Sequence, residues 1–205
     1  MIKQKILFVD TLSPKAGMTL SKSGKTFFAP FGEKFEYSKN LIKVFDAALK
    51  KAKMKPGDLE GVMVIAGPGS YTSIRIAVSF ANALGFAQNI PVQGVTLFDV
   101  TRHKEHEMLV AEAGRGNIFF HLGDKEGILP EADLKGKHKK VKVDIDYALE
   151  QFQEAHEFLG PVSAHYIAQP NISKPKKKWK LLQAANLTLI LMRTQVASRI
   201  KNFWI

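Results

Sequence analysis

The chain has 205 residues, 45% hydrophobic and 24% charged, which fits a globular protein of one or two small domains able to bury a core. It has no cysteine, which excludes a disulfide framework and a thiolate metal site and favours a reducing compartment. The net charge of +11 suggests nucleic acid until it is located: residues 174–205 hold eight lysines and arginines and no acid, whereas residues 1–173 set 22 bases against 19 acids. The excess sits in a tail, so the pI of the whole says little about the body.

The first apolar run, Ile6 to Val9, is too short for a secretory signal. No stretch reaches the roughly eighteen apolar residues of a membrane span, and a cytoplasmic location is expected. Lys5 to Asp10 reads as a buried strand ending in a carboxylate. Gly17–Leu20 and Thr26–Ala29 read as a hairpin. Ser38 is placed to cap a helix whose face is Leu41, Phe45, Ala48, Leu49 and Ala52, ended by Lys55-Pro56-Gly57-Asp58. Gly61 to Ala66 is the next strand, a helix runs from about Thr72 to Phe86, and Pro91 to Val95 is a further strand, with Thr96 capping a short helix.

After about residue 105 the texture changes. Met108–Glu112 and Ile118–Leu122 suggest a hairpin around Gly114-Arg115-Gly116-Asn117. Residues 123–143 are polar and lysine-rich and read as loop. Asp144 caps an amphipathic helix with Ile145, Leu149, Phe152, Ala155 and Leu159, and His165–Ala168 suggests one more strand. The expected organisation is a first subdomain over 1–103, a reduced second one over 104–173 and a basic, apolar tail over 174–205, with no internal repeat.

The segment with most chemical content is "IAGPGSYTSIRIAVSFANALG", residues 65–85. Strand, glycine turn, helix start is a common way to hold phosphate, because free backbone N–H groups and the helix dipole attract an anion. The letters fit neither nucleotide fingerprint: there is no Gly-Lys pair for a P-loop, and Thr72 replaces the third glycine of a dinucleotide turn. Arg75 opposes the dipole in the first turn of the helix by about 0.3–1 kcal/mol. Its partner is a bound phosphate, a carboxylate such as Asp10, or an acid of another protein; otherwise it points to solvent. Along the same helix Ile74, Ala77, Val78, Ala81 and Leu84 form one stripe, while the opposite side, Ser73, Ile76, Ser79, Phe80 and Ala83, has no charge. A helix apolar nearly all round is buried on more than one side, either by a second protein or by the rest of this chain.

"GPGSYTSIRIAVSFANALG" resembles the G-x-G-S-[FY]-T-G-[LV]-R-[IV]-G helix start of the TsaB family of tRNA threonylcarbamoyladenosine biosynthesis proteins. "KILFVDT" resembles that family's first strand and Asp-Thr phosphate-loop relic. "KKAKMKPGDLEGVMV", "IPVQGVTLFDV", "VAEAGRGNIFFHL" and "YIAQPNIS" are similar to its later segments, in order, across about residues 5–122 and on to 173. The resemblance implies an actin-like, sugar-kinase-like α/β fold with a ribonuclease H-like motif and a reduced second subdomain, with no catalysis of its own. It implies a TsaD-type catalytic partner, a TsaE-type ATPase, tRNA reached through the complex, and self-association through the same face, with ATP and Mg belonging to the assembly. It assigns the partner contact to helices 38–53 and 72–87, with Leu41, Phe45, Ile74, Ala77, Val78, Ala81 and Leu84 as contact residues. Asp10, Thr11, Gly67, Gly69, Ser70, Thr72 and Arg75 form the vestigial phosphate loop. Ser73 and Ala77 replace glycines usual in the family, and Leu12 stands where serine is common.

Two other functions compete. Asp10 with the 67–72 turn is the only constellation suited to a small Mg-dependent phosphotransferase or nucleotide hydrolase, but it has no paired base or lysine. His103 and His106 have helix-face spacing but need a third ligand from Glu105 or Glu107 to hold metal, and a solvated face is the expectation. His121, His138, His156 and His165 are scattered. The tail, with five lysines and Trp179 before the apolar run Leu181–Met192, fits a C-terminal helix packed on the first domain best; an arm for tRNA phosphates and a helix on a membrane surface are the alternatives.

Overall fold

A computed structural model of the chain describes residues 4–32, 37–154 and 161–168. All belong to one compact unit, Met1–Gln169. The tail, and the later part of the helix expected after Asp144, lie outside the described residues.

Five strands form the first sheet: β1 (Ile6–Asp10), β2 (Gly17–Lys22), β3 (Lys25–Pro30), β4 (Gly61–Gly67) and β5 (Val92–Thr96). Their order is β3-β2-β1-β4-β5. β1, β4 and β5 run parallel, with Val9 beside Val64, and β2 and β3 form an antiparallel meander on β1. β1 and β4 are apolar at almost every position because both faces of the sheet are covered. Leu7 and Val9, with Val62 and Val64, face α1 (Tyr37–Ala52) and α2 (Tyr71–Gln88). Ile6 and Phe8, with Met63 and Ile65, face the other way, onto α3 (Ile145–Glu154). This is the period-two alternation of a strand read out as two separate cores.

Asp144 begins α3 as expected, its carboxylate accepting from the Tyr147 amide at 3.0 Å. The helix does not stay with the strands that precede it in sequence. Ala148, Leu149 and Phe152 are buried on the first sheet, and Gly61 makes room: a Cβ there would fall 2.4 Å from the Phe152 ring.

The second sheet is built from β6 (Met108–Gly114), β7 (Asn117–Leu122), β8 (Lys125–Pro130) and β9 (His138–Lys140), in the order β8-β7-β6-β9. β6 and β7 are the expected hairpin. β8 and β9 lie in the stretch read as loop. Their sequences, KEGILP and HKK, carry lysine, glycine and proline and no apolar alternation. Their strand state comes from pairing to β7 and β6, a tertiary effect that overrides local propensity. Two further expectations fail. Residues 97–100 form a turn rather than a helix, closed by Thr96 and Asp99, each bonding the other's amide at 2.8 and 3.1 Å. Residues 165–168 are not a strand, although the His165 amide donates to the Ala66 carbonyl at 2.8 Å.

Candidate functional site

The residues singled out as a phosphate loop meet at the C-terminal ends of β1 and β4 and the start of α2. They come together, but as a packed corner. Asp10 is buried, and its carboxylate accepts from the backbone amides of Leu12 and Ser13 at 2.8 and 2.9 Å and from the Ser13 hydroxyl. Burial pushes its pKa up, and the Ser13 and Leu12 bonds pull it back in part. The same charge, after burial, helps raise the Tyr37 hydroxyl. Asp10 therefore folds the loop that follows it, and is not the partner of Arg75 that the sequence offered. The Thr11 hydroxyl, also buried, donates to the Ser73 carbonyl at 3.0 Å and ties β1 to the first turn of α2.

The glycine turn is filled from both sides by this chain. Leu12, in place of a small polar residue, lies over Gly69, where a Cβ would sit 2.8 Å from its Cδ2 atom. His165 lies over Gly67, where φ is +147° and a Cβ would fall 2.1 Å from the His165 carbonyl oxygen. Gly67 is needed for both reasons, its backbone angle and this close approach. The strap that carries His165, residues 161–168, is clasped to α2 by Asn82, whose amide donates to the Val162 carbonyl and whose oxygen accepts from the Val162 amide, both at 2.9 Å. Beyond it, Tyr166 stacks on Tyr71 with 4.6 Å between ring centres, and His165 pairs with Glu126 of β8 at 2.9 Å.

Ser70 and Thr72 are exposed at the start of α2, with Ser70 as its N-cap. Arg75 is exposed too, its guanidinium 5.3 Å from the centre of the Tyr71 ring. Among the described residues no carboxylate pairs with it. The tyrosine face takes the place of the anion sought for this cation.

The partner-contact residues divide. Ile74, Ala77, Val78, Ala81 and Leu84 are buried against the first sheet of the same chain. They form part of this chain's core, with their side chains on the sheet side of α2. Phe45 is buried with them, its ring edge-on to Phe80 at 5.4 Å, and Leu41 is half-buried. The open face of α2 is the opposite one: Thr72, Ile76, Ser79, Phe80, Ala83, Phe86 and Ala87, with Ile76 and Phe80 half-covered. Phe86 is 92% exposed, and Ile42 on neighbouring α1 is 59% exposed. α2 thus presents an uncovered, uncharged face with small side chains at 79, 83 and 87, and α1 beside it exposes Ile42.

His103 and His106 build no metal site. His103 bonds the Thr101 carbonyl, and His106 lies exposed 3.9 Å from Glu105. Among the described residues no three His, Asp or Glu side chains gather as a ligand set, and no helix is long and apolar enough to cross a membrane.

Residues 29–154 match the family described as TsaD: tRNA N6-adenosine threonylcarbamoyltransferase. A protein named tRNA threonylcarbamoyladenosine biosynthesis protein TsaB from Buchnera aphidicola is 25% identical over 67% of this chain and 74% of its own. The TsaB of Bacillus subtilis is 28% identical over 62% and 58%. The chain belongs to the TsaD family, in its TsaB group. A tRNA N6-adenosine threonylcarbamoyltransferase of Cryptococcus neoformans is 32% identical over 84% of this chain but only 48% of its own. The chain therefore spans about half to three quarters of the length of these three relatives.

The solved YeaZ from Pseudomonas aeruginosa superposes with a TM-score of 0.55 at 18% identity, over 67% of this chain and 74% of that one. A second structure, described as an uncharacterized protein with similarity to peptidase YEAZ from Pseudomonas aeruginosa, gives 0.65 at 16% identity over 80% of this chain and all of the other. At such identity the likeness shows the fold alone, the actin-like, ribonuclease H-like α/β fold expected above. Within this TsaB-group chain, sequence reasoning missed Asn82, Val162, Ile42, Phe86 and Ala87. Phe86 and Ala87 carried a signal, since they extend the uncharged side of α2 one turn beyond Ala83. The Asn82 clasp carried none, because its partner is 80 residues away.

Proposed function

We propose that this chain is a non-catalytic subunit of a tRNA N6-threonylcarbamoyladenosine-forming complex, and that the open face of α1 and α2 is where it binds a TsaD-type catalytic subunit. The observation that carries this reading is Phe86, 92% exposed on a helix otherwise built for burial. Burying one such ring is worth about 1.5–3 kcal/mol; Ala83, one turn earlier on the same helix, and Ile42, exposed on α1, add further uncovered apolar surface. Single exposed apolar side chains are ordinary, whereas a long uncharged helix face that ends in an exposed aromatic ring marks an interaction surface. Small side chains at 79, 83 and 87 permit the close approach of a partner helix. The absence of turnover in the isolated chain is supported by the corner at Asp10, where Leu12 and His165 occupy the room above the glycine turn.

The catalytic reading, a Mg-dependent phosphotransferase using Asp10, has no observation in its favour, because the bonds of Asp10 go to Leu12 and Ser13. ATP and Mg are assigned to the assembled complex and its TsaE-type ATPase. The test is reconstitution with TsaD-type and TsaE-type subunits, threonylcarbamoyl-adenylate and tRNA. Modified adenosine should form only with this chain present and should fall to background with Phe86→Asp. Equal product without the chain, or with that variant, contradicts the proposal.

A further inference from the structure

The run Lys135-Gly136-Lys137-His138-Lys139-Lys140-Val141-Lys142 holds five lysines and no acid. Set aside, it leaves residues 1–173 with 17 bases against 19 acids. The excess positive charge of the body is thus confined to one short element. The fold puts that element at an edge: β9 is the outermost strand of the second sheet and is bonded to β6 on one side only. Alternation along it places His138, Lys140 and Lys142 on the exposed side, and Lys139, Val141 and Val143 on the half-buried side. The Val141 amide, bonded to the Val110 carbonyl at 2.9 Å, fixes that register. Lys135 and Lys137 are exposed on the turn at Gly136 that leads in.

The neighbouring charges are already taken. Lys139 donates to the Arg102 carbonyl at 2.7 Å and lies 3.9 Å from Glu107. Asp144 accepts from Arg102 and from the start of α3. Among the described residues Lys135, Lys137, Lys140 and Lys142 have no ion pair. Lysines on an edge strand also deter pairing with another sheet, and one or two suffice for that. Four unpaired, exposed ammonium groups in eight residues go further, since together they make a locally positive strip that attracts a polyanion and releases its counterions. No large apolar side chain is exposed between residues 131 and 144, so the element lacks the anchor of a membrane-lying segment.

We infer that the β9 edge, through Lys135, Lys137, Lys140 and Lys142, contacts the phosphate backbone of RNA. The inference rests on the function proposed above in one respect, that the polyanion is taken to be tRNA. Lysines reach phosphates as point charges, and such contacts position a nucleic acid without reading its sequence. Each contact contributes about 0.7–0.9 to the dependence of log affinity on log salt, so losing four lowers that slope by about 3.

The test compares the full chain with Lys135→Gln, Lys137→Gln, Lys140→Gln and Lys142→Gln combined, by anisotropy of a labelled, unmodified tRNA transcript across about 50–200 mM salt. The same change is made alongside Lys176→Gln, Lys177→Gln and Lys178→Gln to separate the tail. The four-lysine variant should bind at least about tenfold more weakly, with the smaller slope, in both backgrounds. Unchanged affinity and slope overturn the inference, as does a wild-type chain with no measurable affinity for tRNA. Loss of binding to phosphatidylserine vesicles with tRNA binding intact overturns it in favour of a membrane surface. A chain that fails to assemble with a TsaD-type subunit yet holds tRNA through these lysines defeats the proposed function and leaves this inference standing.

Discussion

Asn82→Ala should open the strap over the glycine turn while the core stays closed. Asn82 makes two hydrogen bonds to the Val162 backbone, each 2.9 Å. At about 0.5–1.5 kcal/mol net per bond, their loss weakens strap closure by about 1–3 kcal/mol. Val162 is half-buried, so water partly satisfies the freed groups and the upper end of that range is not exceeded. Alanine also improves the intrinsic propensity of α2 by up to about 0.7 kcal/mol, which masks part of the loss in a global unfolding curve but acts on the helix and not on the strap. Native-state hydrogen exchange separates the two. The His165 amide, bonded to the Ala66 carbonyl, should exchange about five- to a hundredfold faster, at roughly 1.4 kcal/mol per factor of ten. The amides of β1 should follow only the global stability. Asn82→Asp retains the acceptor for the Val162 amide but has no donor for its carbonyl, so it should fall between wild type and alanine. An unchanged His165 amide, or acceleration spread evenly over the chain, would refute the clasp.

Three further outcomes follow from the same packing. Ala81→Glu places a carboxylate in the sheet-facing core and should cost several kcal/mol in a urea melt, whereas Ala83→Glu, two residues on and exposed, should stay within about 0.5 kcal/mol of wild type. Gly67→Ala should destabilise by more than about 1 kcal/mol, since its Cβ would meet the His165 carbonyl at a backbone angle suited to glycine; an unaltered melting temperature would show that the strap does not rest there. Asp10 has a folded-state pKa raised by burial, so its stabilising share is full below the unfolded value of 3.8 and is lost as pH rises through the folded value. Asp10→Asn, which keeps an acceptor for the Leu12 and Ser13 amides, should therefore flatten stability between those two values and hold or raise it at neutral pH. A large loss of stability at neutral pH would contradict this.

The first sheet and its two long helices were legible because their information is local. β1 up to Asp10 and β4 are apolar runs, α1 has one apolar face, and the Gly67–Ser70 turn marks the start of α2. The same locality hid the second sheet's outer strands, whose residues are polar and whose state depends on β6 and β7. At the site, the letters identified the right corner but not its contents. Asp10, Thr11 and the glycines fit an anion loop, and it takes the packing of Leu12 and of the strap, arriving from residues 161–168, to reveal that the space is occupied. On α2 the sequence required cover on two flanks, and the structure buries one against the sheet and leaves the other open. The sequence could not say which flank met the sheet, because Ile74-Ala77-Val78-Ala81-Leu84 and Ile76-Ser79-Phe80-Ala83 differ little in polarity.

The central claim is that a second subunit covers the outer flank of α2, and binding of a purified TsaD-type subunit, measured by titration calorimetry, tests it most directly. Wild type should bind, and Ala83→Glu, with its fold intact by urea melt, should bind about thirtyfold or more weakly, the scale of an interface hot spot. Equal affinity for the two proteins, or no binding by either, would contradict it.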